Sequence, residues 1–189
     1  MQVKTLSVAA LAMASGAVTA SSQLSATDIL TVLDTLTQSL HEAGDLGAQL
    51  HHDTPTLNPT NVIPFVGKLT PAFIKVANAF PGNLITTTVE TFTTEQEAAL
   101  CAAMPKLADA GQYAGNQLST ILRFEDTDAA LNAVMDFGVV CLNIGDDGNL
   151  LYQSLAVAGA VAQCKPLVQT TLSTISNTFT DKGDALLYG

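Results

Sequence analysis

Few residues in this chain have the types and the spacing that chemistry requires. The three histidines, His41, His51 and His52, lie close in the sequence to the carboxylates of Asp45 and Asp53. Imidazole and carboxylate groups bind zinc and copper, but the adjacent His51 and His52 side chains diverge, and no strong ligand spacing results. The pattern therefore favours solvated polar residues at the end of a helix over a metal centre or a general base.

A second group of polar residues, Asp146-Asp147-Gly148-Asn149, offers oxygen ligands without the alternating spacing and distal glutamate of a calcium loop. We therefore predict a polar turn between two helices over residues 145–149. No nucleophilic-serine, phosphate-loop or dinucleotide motif occurs, and Cys101 has no histidine near it in the sequence. The sequence predicts a protein that is not an enzyme and that uses no metal or cofactor.

The three cysteines predict one disulfide and one free thiol in an oxidising compartment. If residues 128–143 and 149–163 form an antiparallel hairpin, Cys141 lies beside its turn and Cys164 about 20 Å away at the far end. That distance is beyond the reach of a disulfide. We therefore expect Cys101 to be one partner of the bridge, with Cys141 preferred as the other.

Residues 1–20 have the order of a secretory signal peptide. Lys4 provides a positive charge, residues 6–14 form an apolar run, and Val18-Thr19-Ala20 places small residues before the cleavage point. The run is shorter than the roughly twenty apolar residues that span a bilayer. We expect a secreted protein, extracellular or in a cell wall, without a transmembrane segment and with one domain over residues 21–189.

The composition of the remaining chain limits its partners. Cleavage would remove Lys4, which leaves six basic residues against 17 acidic ones, a net charge of −11. Nucleic acids and anionic membrane surfaces are poor partners for such a chain. Hydrophobic residues make up 48% of the sequence and charged residues only 13%. The protein must therefore bury much aliphatic surface, or keep some of it for a ligand or an interface.

The elements that would position these residues are helices. Ser25 and Asp28 have the spacing of a capping box before a long helix that continues to about Gln49. A loop over residues 51–61 follows, and Thr70-Pro71 predicts the start of a second helix, which ends at Pro81-Gly82. The apolar stripe of the first helix steps by three and four residues: Ile29, Leu33, Leu36, Leu40, Ala43, Gly47 and Leu50.

The second half of the chain has the same helical period. Thr94 and Glu97 predict another capping box, and Pro105 is expected to kink or split the helix that follows. Asp126-Thr127 predicts the start of a further helix, and the last begins near Pro166. The long stripe after Thr94 is Leu100, Met104, Leu107, Gly111, Ala114, Leu118 and Ile121. We predict an all-α fold, a bundle of five to six amphipathic helices.

The stripes raise the question of an internal apolar cavity. Aromatic residues are scarce, and glycine and alanine interrupt the stripe at Gly111 and Ala114, so facing helices would leave space that an acyl chain could fill. The candidate lipid-binding residues are Leu33, Leu36, Leu40, Phe73, Leu107, Gly111, Ala114 and Leu118. In a generic bundle such stripes are more often core alone.

The order of these features resembles a known family. A signal peptide precedes an acidic, Trp-free chain in which a threonine-rich stretch enters a long helix over residues 86–124, and the last helix ends in Asp181-Lys182-Gly183-Asp184. This is similar to the fungal hydrophobic-surface-binding protein A family, which includes the antigenic cell-wall galactomannoproteins. The three cysteines and the segment 128–142 depart from that family.

The resemblance implies a helical domain, extracellular or associated with the cell wall and its polysaccharide, that binds hydrophobic surfaces or small lipids such as fatty acids. The alternative is a structural or antigenic wall protein, or a secreted effector, that has no small-molecule ligand. A fatty acid or sterol that copurifies with the protein would favour the first hypothesis.

Overall fold

The computed structural model describes residues 23–82, 88–125, 127–157 and 161–189. The signal peptide predicted over residues 1–20 lies outside the described residues, as do Thr86 and Thr87. The described ranges contain two short strands and five helices: β1 (Gln23–Leu24), α1 (Ala26–Asp53), α2 (Val62–Ala79), β2 (Thr88–Val89), α3 (Thr94–Asn116), α4 (Asp128–Val157) and α5 (Lys165–Tyr188). The predicted all-α helical bundle is confirmed.

The five helices form a closed ring. In spatial order the neighbours are α1, α2, α4, α5 and α3, and α3 returns to contact α1. Gly44 and Gly47 of α1 approach Tyr113 of α3 and Gln117, the residue that follows its last turn, so these two helices run parallel. The two strands, which precede α1 and α3, also pair in parallel, and β2 contacts α4 as well. Residues from all five helices face the enclosed core.

The directions of the other helices follow from their contacts. Gly111 of α3 approaches Ile175, and Gly115 approaches Thr178, so α3 and α5 are parallel. The contact of Gly183 with Leu142 makes α4 and α5 antiparallel, because Gly148, further along α4, lies near Leu172, further back on α5. Lys75 of α2 pairs with Glu42 of α1, whereas Leu69, further back on α2, lies near Gly47, further along α1, so α1 and α2 are antiparallel. Thus α1, α3 and α5 point one way, and α2 and α4 point the other.

The predicted capping box at the start of α1 is confirmed. Ser25 Oγ accepts a hydrogen bond from the backbone N–H of Asp28 at 3.1 Å, and the Asp28 carboxylate accepts one from the N–H of Ser25 at 3.0 Å. These bonds satisfy backbone donors that a helix start leaves without partners. The helix continues beyond Gln49 to Asp53, so His51 belongs to the helix and not to the loop.

The second helix begins earlier than the sequence predicts. It starts at Val62, and Pro71 lies inside it. Proline lacks the N–H that would bond to the carbonyl four residues back and usually breaks a helix. Here buried apolar residues continue on both sides of Pro71: Val62, Phe65, Val66, Leu69, Phe73 and Val76. Burial of this stripe holds the helix through the proline, and it ends at Ala79, just before the predicted stop.

The third helix starts with a capping box that is shifted by one residue. Thr93, not Thr94, is the N-cap, and its partner is Gln96. Glu97 accepts a hydrogen bond from the backbone N–H of Gln163 instead. Pro105 does not split α3, which is one helix from Thr94 to Asn116.

The predicted turn at residues 145–149 is wrong, because α4 is a single helix of 30 residues. Gly145 and Gly148 have negative φ, and their role is close contact with α5. A methyl group at position 145 would lie 2.2 Å from Thr180 Oγ1 and 2.9 Å from the carbonyl oxygen of Ser176. Glycine allows the two backbones to approach closely. Because glycine is also common in turns, the local sequence does not show which of the two structures forms here.

The start of α4 also differs slightly from the prediction. The helix begins at Asp128, two residues after Asp126, and Thr127 Oγ1 accepts a hydrogen bond from the N–H of Ala130 at 3.2 Å. Among the described residues, α4 is long and apolar enough to cross a membrane by length and composition. Core helices pass the same test, and α4 lies between α2 and α5 in the ring.

Candidate functional site: the apolar interior of the helical ring

Three phenylalanines from three helices meet inside the ring. Phe73 of α2, Phe137 of α4 and Phe179 of α5 are each 0% exposed. The ring centroids of Phe73 and Phe137 are 5.4 Å apart in an edge-to-face arrangement, and those of Phe73 and Phe179 are 5.9 Å apart. Such geometry is favourable for aromatic pairs. We call Phe73, Phe137 and Phe179 the phenylalanine cluster.

Of these three residues, Phe73 is a candidate site residue in the sequence and the other two are not. Phe179 follows Ile175 at a spacing of four residues, so its burial is consistent with helical periodicity. Around Phe137 the sequence also offers the apolar residues Val134 and Met135, and their pattern does not single out Phe137. Met135 is only partly buried, whereas Phe137 is fully buried.

All eight candidate lipid-binding residues lie in the interior. They come from α1, α2, α3 and the segment that follows α3, and all are buried: Leu33, Leu36, Leu40, Phe73, Leu107, Gly111, Ala114 and Leu118. The structure thus brings the predicted set together on the inner faces of the ring. Their binding of a lipid stays a prediction.

The small-residue stripe of α3 is a place of close helix contact. A methyl group at Gly111 would lie 2.6 Å from Ile175 Cγ1, and one at Gly115 would lie 2.5 Å from Thr178 Cγ2. The space beside these glycines is therefore occupied by side chains of α5. In the ring as it stands, an acyl chain at Gly111 would have to displace Ile175.

A groove of about 520 Å³ opens where α2 ends beside the middle of α4. Its lining is both apolar and polar: Ala77, Asn78, Phe80, Gly82, Asn143, Asp146 and Asp147. Burial, and secondarily the negative charge of Asp146, raises the pKa of Asp147 above its ordinary value. The groove thus places two neighbouring carboxylates between helices, and no cation among the described residues pairs with either of them.

Polar contacts join α1 to both of its neighbours. Lys75 of α2 donates to the carboxylate of Glu42, which lowers the Glu42 pKa. The Tyr113 hydroxyl of α3 donates to Asp45 at 3.0 Å. His51 Nε2 lies 2.7 Å from the carbonyl oxygen of Gln117, so this nitrogen carries the proton and donates.

The histidines do not converge. His51 is engaged with Gln117, His52 lies 3.3 Å from Asp53 on the surface, and the His41 ring is near Tyr113. Within the described ranges, no three histidine, cysteine or acidic side chains are grouped as metal ligands would be.

The disulfide joins Cys101 at the start of α3 to Cys164 just before α5. The prediction of Cys101 as one partner is confirmed, and the preference for Cys141 as the other is wrong. Cys141 is a buried free thiol in the middle of α4, and burial raises its pKa to about 12. The exclusion of a Cys141–Cys164 bridge holds, although the hairpin from which it was argued does not exist.

Hydrogen bonds from two basic side chains join α3 and α5 at the end of their contact that lies away from the disulfide. Past the end of α3, Ile121 accepts a hydrogen bond from Lys182 Nζ through its carbonyl oxygen. Arg123 Nη1 donates to the carbonyl of Leu187 at 2.6 Å. Partial burial lowers the pKa of Lys182. A covalent bond at one end and two charge-assisted bonds at the other therefore fix α5 against α3.

The fold and the interior define a class of protein, a five-helix ring closed around an apolar core. Compared with known proteins, the chain matches no family model and no curated protein.

Proposed function

We propose that this chain is a secreted or wall-associated, non-catalytic protein that binds hydrophobic surfaces or small lipids such as fatty acids. The observation that carries the proposal is the nature of the interior. In the described part of the chain, the buried side chains are hydrophobic (aliphatic residues, phenylalanine, one methionine and two cysteines), apart from four polar ones: Ser39, Glu97, Thr171 and Ser176. Each helix presents such a face to the others.

An interior of this kind suits contact with hydrocarbon. Burial of apolar surface contributes about 25 cal/mol for each Å² that is removed from water, whether the partner is another helix or an oil. Helix faces that now pack on each other are therefore equally suited to an acyl chain or a hydrophobic surface. The low content of charged residues and the negative net charge support an apolar partner over a nucleic acid or an anionic membrane.

The first test is to identify what the protein carries and where it adsorbs. The chain should be purified without detergent, extracted with organic solvent, and compared by native mass spectrometry before and after extraction. Its adsorption from buffer to hexadecane droplets should be measured in parallel, with a helical protein of similar charge as the control. We expect either a bound fatty acid or retention on the droplets.

A protein that carries no lipid and stays in the aqueous phase would contradict the proposal. That result would favour the alternative of a structural or antigenic wall protein, or of an effector that recognises another macromolecule.

A further inference from the structure

The contacts between neighbouring helices differ in the interactions that hold them together. We call the contact between two neighbouring helices a seam. Two of the five seams join helices that follow each other in the chain, α1/α2 and α4/α5, so a connecting segment holds each of them. The other three join parallel helices that are not consecutive: α1/α3, α3/α5 and α2/α4.

Two of these three seams are held by strand pairing, hydrogen bonds or a disulfide. At α1/α3, the β1/β2 pair holds the beginnings of the helices, and the Tyr113–Asp45 and His51–Gln117 bonds hold the later parts. At α3/α5, the disulfide holds one end and Lys182 and Arg123 hold the other. In both seams the two helices are attached at more than one level.

The α2/α4 seam is different. Its contact at the centre is the apolar pair Phe73 and Phe137, and at one end it widens into the groove that contains Asp146 and Asp147. Of the side-chain hydrogen bonds and ion pairs between described residues, those made by α2 within the bundle lead to α1 or back into α2 itself. Apolar packing is the part of this seam that a hydrocarbon surface can replace.

We propose that the ring opens at the α2/α4 seam when it meets a hydrophobic surface, and that the phenylalanine cluster then contacts the hydrocarbon. This inference rests on the proposed function and specifies how it is performed. Opening one seam converts the ring into an arc with α2 and α4 at its two ends. The other four seams keep their connections, so the helices stay folded while their inner faces turn outward. The surface supplies apolar contacts that only the open state can make, and it therefore shifts the equilibrium toward that state.

The test is to cross-link α2 to each of its two neighbours in turn. One variant carries Ala77→Cys and Asn143→Cys, two groove-lining positions on α2 and α4. The matched control carries Glu42→Cys and Lys75→Cys, which replace the ion pair between α1 and α2. Both are made with Cys141→Ala, and the new thiols are joined by a short bifunctional maleimide, which leaves the native disulfide intact. Each variant is also prepared with its thiols capped singly, so that the same substitutions are present without the bond.

Adsorption to hexadecane droplets is measured for all four forms after circular dichroism has shown that each is helical. We expect the α2/α4 cross-link to reduce adsorption at least about tenfold relative to its capped form, because the closed state alone remains populated. The α1/α2 cross-link should adsorb as its capped form does. If both cross-linked proteins adsorb equally, or if only the α1/α2 cross-link reduces adsorption, the ring does not open at the α2/α4 seam. Either result would leave the proposed function in place. If the capped and unmodified proteins do not adsorb, the opening of the ring is contradicted, and the proposed function fails with it when extraction also finds no bound lipid.

Discussion

The α3/α5 and α2/α4 seams both join parallel helices in the same ring, yet they are built by different interactions. The first combines small residues, a disulfide and two cation–carbonyl bonds. The second relies on phenylalanine packing and widens into an acidic groove. A disulfide and oriented hydrogen bonds cannot be replaced by an oil, whereas apolar contact can. The comparison shows that one bundle can hold one seam with a disulfide and charged hydrogen bonds and another with apolar packing.

The largest expected effect is at the centre of the apolar seam. Phe73→Ala removes a fully buried ring that contacts both Phe137 and Phe179. We expect the free energy of unfolding to fall by about 3–5 kcal/mol, because the lost transfer energy adds to that of the cavity. Urea denaturation would measure it, with Ile74→Ala on the more exposed face of α2 as the control. A loss no larger than that of the control would show that the cluster does not hold α2 in the ring.

Removal of the disulfide tests how the α3/α5 seam is held. The Cys101→Ala, Cys164→Ala double variant loses a cross-link between residues separated by 63 positions. The chain-entropy relation for a loop of this length predicts a loss of about 4 kcal/mol. Thermal unfolding of the wild type and the variant would measure it, and helicity by circular dichroism should be retained at low temperature. An unchanged stability would mean that α3 and α5 are held by packing alone.

Alanine substitutions at Gly145 and Gly148 of α4 should change the free energy of unfolding by smaller amounts and in opposite directions. Gly145→Ala would place its methyl group against Thr180 and the carbonyl of Ser176, whereas the nearest atoms to a methyl group at Gly148 are 3.7 Å away. Gly145→Ala should therefore cost about 1–3 kcal/mol through overpacking. Gly148→Ala should stabilise by up to about 1 kcal/mol through helix propensity. Chemical denaturation of the two variants would show this contrast, and equal effects would contradict the close approach of α4 and α5.

The last effect is absent near neutral pH and concerns Cys141, whose folded-state pKa of about 12 exceeds the ordinary value of 9.0 because of burial. A raised folded-state pKa gives stability that is fully present below the ordinary value and is lost as the pH rises toward the folded value. The free energy of unfolding should therefore decline from about pH 9 to about pH 12. Lys182 faces this thiol, and its lowered pKa acts in the opposite direction. The wild type should lose more stability than Cys141→Ala over this range, and parallel pH profiles would contradict the burial of the thiol.

The sequence predicts that helices form and where several of them lie, but it does not predict the starts of α2 and α3 or the continuity of α4. Apolar periodicity indicates where helices form, and the Ser25 and Asp28 side chains specify the start of α1. The inner position of candidates such as Leu33 and Leu107 also follows from periodicity. The continuity of α4 does not follow, because glycine at 145 and 148 satisfies a turn and a close helix contact equally. The partner of Cys101 could not be predicted either, since it depends on which helices become neighbours in the ring.

Photolabelling from the oil phase tests the central claim most directly. An alkyl diazirine dissolved in hexadecane inserts, on illumination, into residues that face the hydrocarbon, and mass spectrometry locates the label. We predict labelling of Phe73, Phe137 and Phe179, which are inaccessible in the closed ring. Label confined to residues that are already exposed on the outside of α2, such as Ile63 and Ile74 at 38% and 39% exposure, would show that the closed bundle adsorbs by its outer face and would contradict opening.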